Sequence, residues 1–76
     1  MRVTVAKVHD NLFDGDATSL TAPTTSGQVT ILPHHEPFVG TLKEGTVTVR
    51  TGAGNHEFVV TSGIVEVSND HATVLL

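Results

Sequence analysis

Gly45-Thr46-Val47-Thr48-Val49-Arg50-Thr51-Gly52-Ala53-Gly54-Asn55-His56-Glu57-Phe58-Val59-Val60-Thr61 decides the fold of this chain. Val47 and Val49 alternate with Thr46, Thr48 and Arg50. After a glycine-rich turn, Phe58 and Val60 alternate with Glu57, Val59 and Thr61. This is the period of two of half-buried strands. Two such runs around Gly52-Ala53-Gly54-Asn55 predict an antiparallel hairpin of 46–51 with 56–61. The pattern recurs downstream, where Val65 and Val67 alternate with Glu66 and Ser68, and Ala72, Val74 and Leu76 with Thr73 and Leu75. Asn69-Asp70 predicts a tight turn joining 64–68 to 71–76, because both residues tolerate positive φ.

Working outward, further turn signals fall at Thr25-Ser26-Gly27, Lys43-Glu44-Gly45 and Ser62-Gly63. Valine and threonine dominate and no long amphipathic helical window occurs. Short strands with turns at about ten-residue spacing predict an all-β fold: a small antiparallel β-sandwich or flattened barrel of about 8 to 10 short strands, one domain over residues 1–76. Two places break the alternation. Val3 and Val5 share a face that Val8 leaves, which predicts a bulge near Ala6-Lys7. Phe13 and Ala17 share a parity that Leu20 leaves, and Gly15 in this segment predicts a bend or bulge.

Composition narrows the function. A chain of 76 residues buries only about two-thirds of its unfolded surface, which points to modest or shared stability. Cysteine is absent, so disulfides and thiolate metal sites are excluded. No apolar run reaches the roughly 18 residues that span a bilayer, and Met1–Val5 reads as a strand, not a signal peptide. No direct membrane insertion is expected, and a cytosolic location is. The net charge is −4, and the four basic residues Arg2, Lys7, Lys43 and Arg50 do not cluster. Nucleic acid is therefore not an expected partner. The aromatics are Phe13, Phe38 and Phe58, with no Tyr or Trp, which disfavours base or sugar stacking.

Five histidines invite a metal reading, but none has zinc-motif spacing, and adjacent His34 and His35 point opposite ways in extended chain. Asp14 and Asp16 share a parity but read equally as a solvated strand edge. Glu66 faces outward. No nucleophile motif is present, and Gly52-Ala53-Gly54 precedes no helix that would bind phosphate. The expectation is no catalytic residue, no metal and no cofactor.

The segment Gly27-Gln28-Val29-Thr30-Ile31-Leu32-Pro33-His34-His35-Glu36-Pro37-Phe38 stands out instead. A short apolar strand runs into two prolines that cannot donate ladder hydrogen bonds. The reading is a stiff, exposed loop, and such loops carry function when a rigid scaffold holds them. Gln28, Ile31, His34, His35, Glu36 and Phe38 are the candidate docking residues. The plainer reading is a turn at one end of the sandwich, with Phe38 and Leu42 capping the core.

Gly-x-x-x-Ile-Leu-Pro-x-His-x-Pro resembles the signature loop of the epsilon subunit of F-type ATP synthases. Other segments are similar to that family in its own order: Phe13-Asp14-Gly15-Asp16-Ala17, Leu20–Thr24, Leu42-Lys43-Glu44-Gly45, Ser62-Gly63-Ile64-Val65-Glu66-Val67 and Thr73-Val74-Leu75. The resemblance implies a non-catalytic rotor subunit of the central stalk, peripheral on the cytoplasmic side of the membrane. Its partners would be the gamma subunit, on one sandwich face, and the rotor-ring c subunits, at the end carrying the loop. Ile31 and His35 fall on the family's Ile and His. Gln28 stands where many members have glutamate, His34 where the usual residue is glycine, and Ser62 where the first of two glycines stands. If that first glycine needs positive φ, Ser62 is strained. In the family a two-helix hairpin follows this domain and carries an inhibitory switch and, in some members, ATP binding. These 76 residues hold no such segment, and a chain without it is expected to lack both.

Val39, Leu42, Leu75 and Leu76 are candidates for exposed apolar surface, with alternation burying one of the last two. Three other readings stand beside the stalk: a free-standing ligand-binding sandwich with a concave apolar site, a metal enzyme using His34 and His35, and a self-assembling domain with an open edge near 71–76.

Overall fold

The computed structural model describes all 76 residues and contains nine strands and no helix. They are β1 (Arg2–Ala6), β2 (Asn11–Asp16), β3 (Ser19–Thr24), β4 (Gly27–Ile31), β5 (Phe38–Leu42), β6 (Gly45–Thr51), β7 (Gly54–Val60), β8 (Gly63–Ser68) and β9 (His71–Leu75). One layer runs β2-β1-β9-β8-β5 and the other β4-β3-β6-β7. A single pairing, Thr24 with Leu42, joins the layers where β3 meets β5. The all-β sandwich expected from the sequence is thus observed.

Inward residues follow the alternation. Val3 and Val5, Val65 and Val67, and Ala72 and Val74 from one layer meet Leu20, Ala22, Val47 and Val49 from the other, all buried. The Thr partners on β6 face out, so the period of two directly sorts core from surface. Phe13 of β2 and His56 of β7 meet at a tilt of 48° at the open side of the sandwich, with ring centroids 4.9 Å apart. They close the gap between the two outermost strands with side chains, where no backbone ladder forms.

Both expected hairpins form. Gly45 to Thr51 pair with Val60 to Gly54, and Ile64 to Ser68 with Leu75 to His71. Asn69 and Asp70 both take positive φ, 52° and 58°, as a type I′ turn requires. The strand β3 tolerates Pro23 because its ladder to β6 ends at Thr21, so the missing donor falls beyond it.

Four expectations need correction. The sheet is not wholly antiparallel: β1 runs parallel to β9, Arg2 opposite His71 through Ala6 opposite Leu75. A bulge occurs between Val5 and Ala6, but it does not return Val8 to the core. A tight turn closed by the Lys7 N–H on the Asp10 carbonyl (2.7 Å) lifts Val8 out to 86% exposure. Gly15 makes no bend; it pairs in register with Val3, and the Phe13 ring lies over it. Leu42 is buried in the core, since the β3–β5 junction closes over it.

Candidate functional site: the loop after β4 and the outer faces

The loop begins where Pro33 ends β4. The His35 N–H donates to the Leu32 carbonyl at 3.2 Å, closing a turn with Pro33 and His34 at its centre. His34 has φ 67°. Proline at the second position and positive φ at the third are the marks of a type II turn, whose third position favours glycine. The histidine there carries the left-handed cost that glycine would escape. A bond from outside the loop offsets it: the His34 N–H donates to Asp70 Oδ1 at 2.8 Å.

Beyond the turn, the His35 Nδ1 lies 2.7 Å from the Glu36 carbonyl. A carbonyl only accepts, so Nδ1 carries the proton of that bond. The His35 ring also meets Phe38 edge-on, with centroids 6.1 Å apart. Phe38 in turn packs half-buried against the core. His34, His35 and Glu36 are all exposed and are held in set directions.

The other two candidates lie elsewhere. Ile31 is fully buried, so its side chain anchors the root of the loop in the core and offers a partner no surface. Gln28 is exposed on the outer face of β4, apart from the histidines, in the wall of a groove of about 870 Å³. That groove covers the outside of β4-β3-β6-β7 and is lined by hydroxyl, amide and charged groups including Thr21, Thr30, Thr48, Arg50 and Glu57. Its polarity differs from the apolar concavity that a ligand-binding sandwich calls for.

The outer face of the other layer has two zones. Near the N-terminus, Arg2 grips Asp14 with two bonds, Nε to Oδ1 at 2.9 Å and Nη2 to Oδ2 at 2.8 Å. The Thr4 hydroxyl donates to Asp14 Oδ1 at 3.3 Å and lies 3.0 Å from His71 Nε2. The Arg2 bond, aided by its charge, Thr4 and His71, holds the Asp14 carboxyl below the usual carboxylate range. Asp70 is likewise lowered, first by the His34 N–H and then by the positive charges of the N-terminus and His34.

Toward the other end of this face lies an apolar stripe. Leu75 sits directly opposite Ile64 and beside Ala6; Val39 of β5 lies diagonal to Ile64, opposite Glu66 in the row of Thr73, Thr4 and Asp14. Val39 is 68% exposed, Leu75 53% and Ile64 49%. Val39 and Leu75 were legible as exposed apolar residues. Ile64 is the apolar member less evident from the sequence, its exposure carried by its parity with Glu66. No three His, Asp or Glu side chains converge as a metal-binding set.

These features define a small β-sandwich that presents a stiff histidine-bearing loop at one end and an apolar stripe on one face. The chain belongs to the ATP synthase delta/epsilon chain β-sandwich domain family, whose profile it matches over residues 1–76. It is 42% identical over 73 residues to the ATP synthase epsilon chain of Corynebacterium jeikeium, covering 93% of this chain and 59% of that one. With the epsilon chain of Delftia acidovorans it shares 36% over 76 residues, covering 99% of this chain and 55% of the other. The chain therefore spans little more than half the length of these curated relatives.

Its fold matches a chain in the cryo-EM structure of the Euglena gracilis mitochondrial ATP synthase, OSCP/F1/c-ring, at TM-score 0.88 and 20% identity, covering 96% of this chain and 48% of that one. A second match, at TM-score 0.83 and 18% identity, is to the central stalk/c-ring structure of the Tetrahymena thermophila mitochondrial ATP synthase, covering 97% of this chain and 60% of that one. At these identities the likeness concerns the fold. Ser62 is not in the positive-φ region; Gly63 is, at φ 140°. The turn before β8 thus needs glycine at its second position only, and Ser62 is unstrained.

Proposed function

We propose that this chain is a non-catalytic coupling element of an F-type ATP synthase central stalk, tying the gamma subunit to the membrane rotor ring of c subunits. The observation that carries the reading is family membership over the whole chain together with the built loop Leu32–Pro37. The loop would meet the polar loops of the ring through His34, His35 and Glu36, steadied by Phe38, with Gln28 a neighbouring contact. Gamma would cover the apolar stripe of Val39, Ile64 and Leu75. Exposed apolar residues on contiguous strands of a small domain support a protein interface, and a torque-bearing contact favours a broad surface over one deep pocket.

The mechanism is mechanical. Rotation of the ring would pass through the loop into a sheet whose strands share 37 ladder hydrogen bonds, and from there across the stripe into gamma. The domain would lie peripherally on the cytoplasmic side of the membrane as part of the assembled enzyme.

Co-purification with gamma and the c-ring tests both contacts. His35→Ala is expected to weaken retention on the ring and leave gamma binding intact; Leu75→Asp is expected to do the reverse. Absence of any co-elution for the wild-type chain at micromolar concentration would refute the stalk reading.

A further inference from the structure

The turn Leu32–His35 is tied at two points, and only one of them is local. His35 N–H closes the turn on Leu32; His34 N–H reaches 36 residues along the chain to the Asp70 carboxylate. Asp70 is a firm post. It is the second residue of the type I′ turn between β8 and β9, at φ 58°, and its own carbonyl accepts the Arg2 N–H at 3.1 Å. Three segments therefore meet there: the loop, the β8–β9 turn and the start of β1. The latched amide belongs to the one loop residue at positive φ, the place where the turn type favours glycine.

We propose that Asp70 is the positioning residue of this loop: its carboxylate holds Pro33-His34 in the turn that directs His35 and Glu36 outward. It supplies from the neighbouring hairpin the conformational bias that glycine at position 34 would supply by itself. A charged acceptor suits this task, because an N–H bond to a carboxylate is stronger than one to a neutral oxygen. The lowered carboxyl of Asp70 agrees with the geometry.

The groups facing the Asp70 carboxylate are the Met1 ammonium, 3.9 Å from Oδ2, and the His34 imidazole; Asp16 shares that ammonium at 3.1 Å. The sign of the pH effect follows. The folded carboxyl titrates below its unfolded value, so the latch is complete above the ordinary carboxylate range, about pH 4. It is lost as pH falls through the lower, folded value.

The docking reading enters only the last arm of the test. Asp70→Gly is the informative variant, since Asn-Gly is a favoured type I′ pair and keeps the hairpin while deleting the acceptor. Amide exchange by NMR is expected to speed up at His34 by about tenfold or more in Asp70→Gly, with the ladder amides of β8 and β9 unchanged. The His34 amide shift should titrate in acid in the wild type and stay flat in the variant. Asp70→Asn, which retains an oxygen acceptor, should restore part of the protection without the titration. Equal His34 exchange in wild type and Asp70→Gly would overturn the proposal, as would a His34 shift that titrates identically in both.

In the last arm, Asp70→Gly is expected to reduce c-ring retention several-fold, and much less so when His34→Gly is also present. A changed His34 amide with unaltered ring retention would uphold the latch and overturn the docking role of the loop.

Discussion

Gly63 faces the backbone carbonyl of Leu75 so closely that a Cβ at Gly63 would overlap its oxygen. The two residues sit at the open end of the β8–β9 hairpin, where Ile64 pairs with Leu75. Gly63 also has φ 140°, a conformation side chains rarely adopt. Gly63→Ala is therefore expected to cost about 2 to 4 kcal/mol, combining backbone strain with displacement of the last strand. Ser62→Gly should change stability by less than about 1 kcal/mol, since no positive φ is relieved. Urea midpoints of the three proteins would check the contrast, and equal midpoints for Gly63→Ala and wild type would refute it.

Ile31 offers a sharper test of what the loop segment does. Its side chain is fully buried, so Ile31→Ala is expected to cost about 2 to 5 kcal/mol of folding stability. His35→Ala, at an exposed site, is expected to cost less than about 1 kcal/mol. Thermal melts of the two variants side by side would settle which residue belongs to scaffold and which to surface. A loss of ring binding in an Ile31 variant, measured without its melting curve, says nothing about contact.

His34 occupies the left-handed position of its turn. His34→Gly removes an αL cost of about 1 kcal/mol and adds a similar loss of unfolded-state restriction, so its net effect should lie within about 0.5 kcal/mol of zero. His34→Val, β-branched and ill-suited to positive φ, should lose about 1 to 2 kcal/mol. Chemical denaturation distinguishes these outcomes; equal losses for Gly and Val would mean that position 34 does not hold positive φ.

Acid should loosen the N-terminal face through Asp14 as well. Its folded pKa is lowered, first by the bond from Arg2, so it contributes stability above the ordinary carboxylate range that disappears as pH falls through the folded value. Asp14→Asn is expected to flatten the rise of stability with pH below about pH 4, and to change little of its shape above pH 6. Stability measured from pH 2 to 7 for wild type and variant reads this directly; superimposable curves below pH 4 would contradict the assignment.

The parts of this fold that could be read from the chain are those encoded locally. Val47 and Val49 against Thr48, and Asn69-Asp70 between alternating runs, carry their own pairing instructions, and both hairpins form; the first is tighter than the alternation suggests, with Thr51 opposite Gly54 and only Gly52-Ala53 in the turn. The parallel contact of β1 with β9 leaves no such trace, because two strands 69 residues apart in sequence need no matching turn. The reading of Gly15 as a bend fails because the strand runs straight through it, in register with Val3 and beneath the Phe13 ring. Leu42 was expected at the surface because a period of two does not reveal where the two layers join. Of the loop, the prolines and exposed histidines were legible. The bond from His34 to Asp70 was not, since it depends on two turns meeting in space.

The parallel pairing of β1 and β9 has a consequence for biogenesis. Val3 and Val5 are flanked on one side by β2, which follows them closely in the chain, but their other neighbour is β9, the final strand of the sandwich. During translation the β1–β2 hairpin must wait, with one ladder edge open, until residues His71–Leu75 have left the ribosome. So many contacts between distant parts of the chain make for slow folding. An incomplete nascent chain exposes an edge open to wrong pairing. This domain should therefore reach its native state only after β9 has been translated, with the β1 edge open to wrong pairing until then.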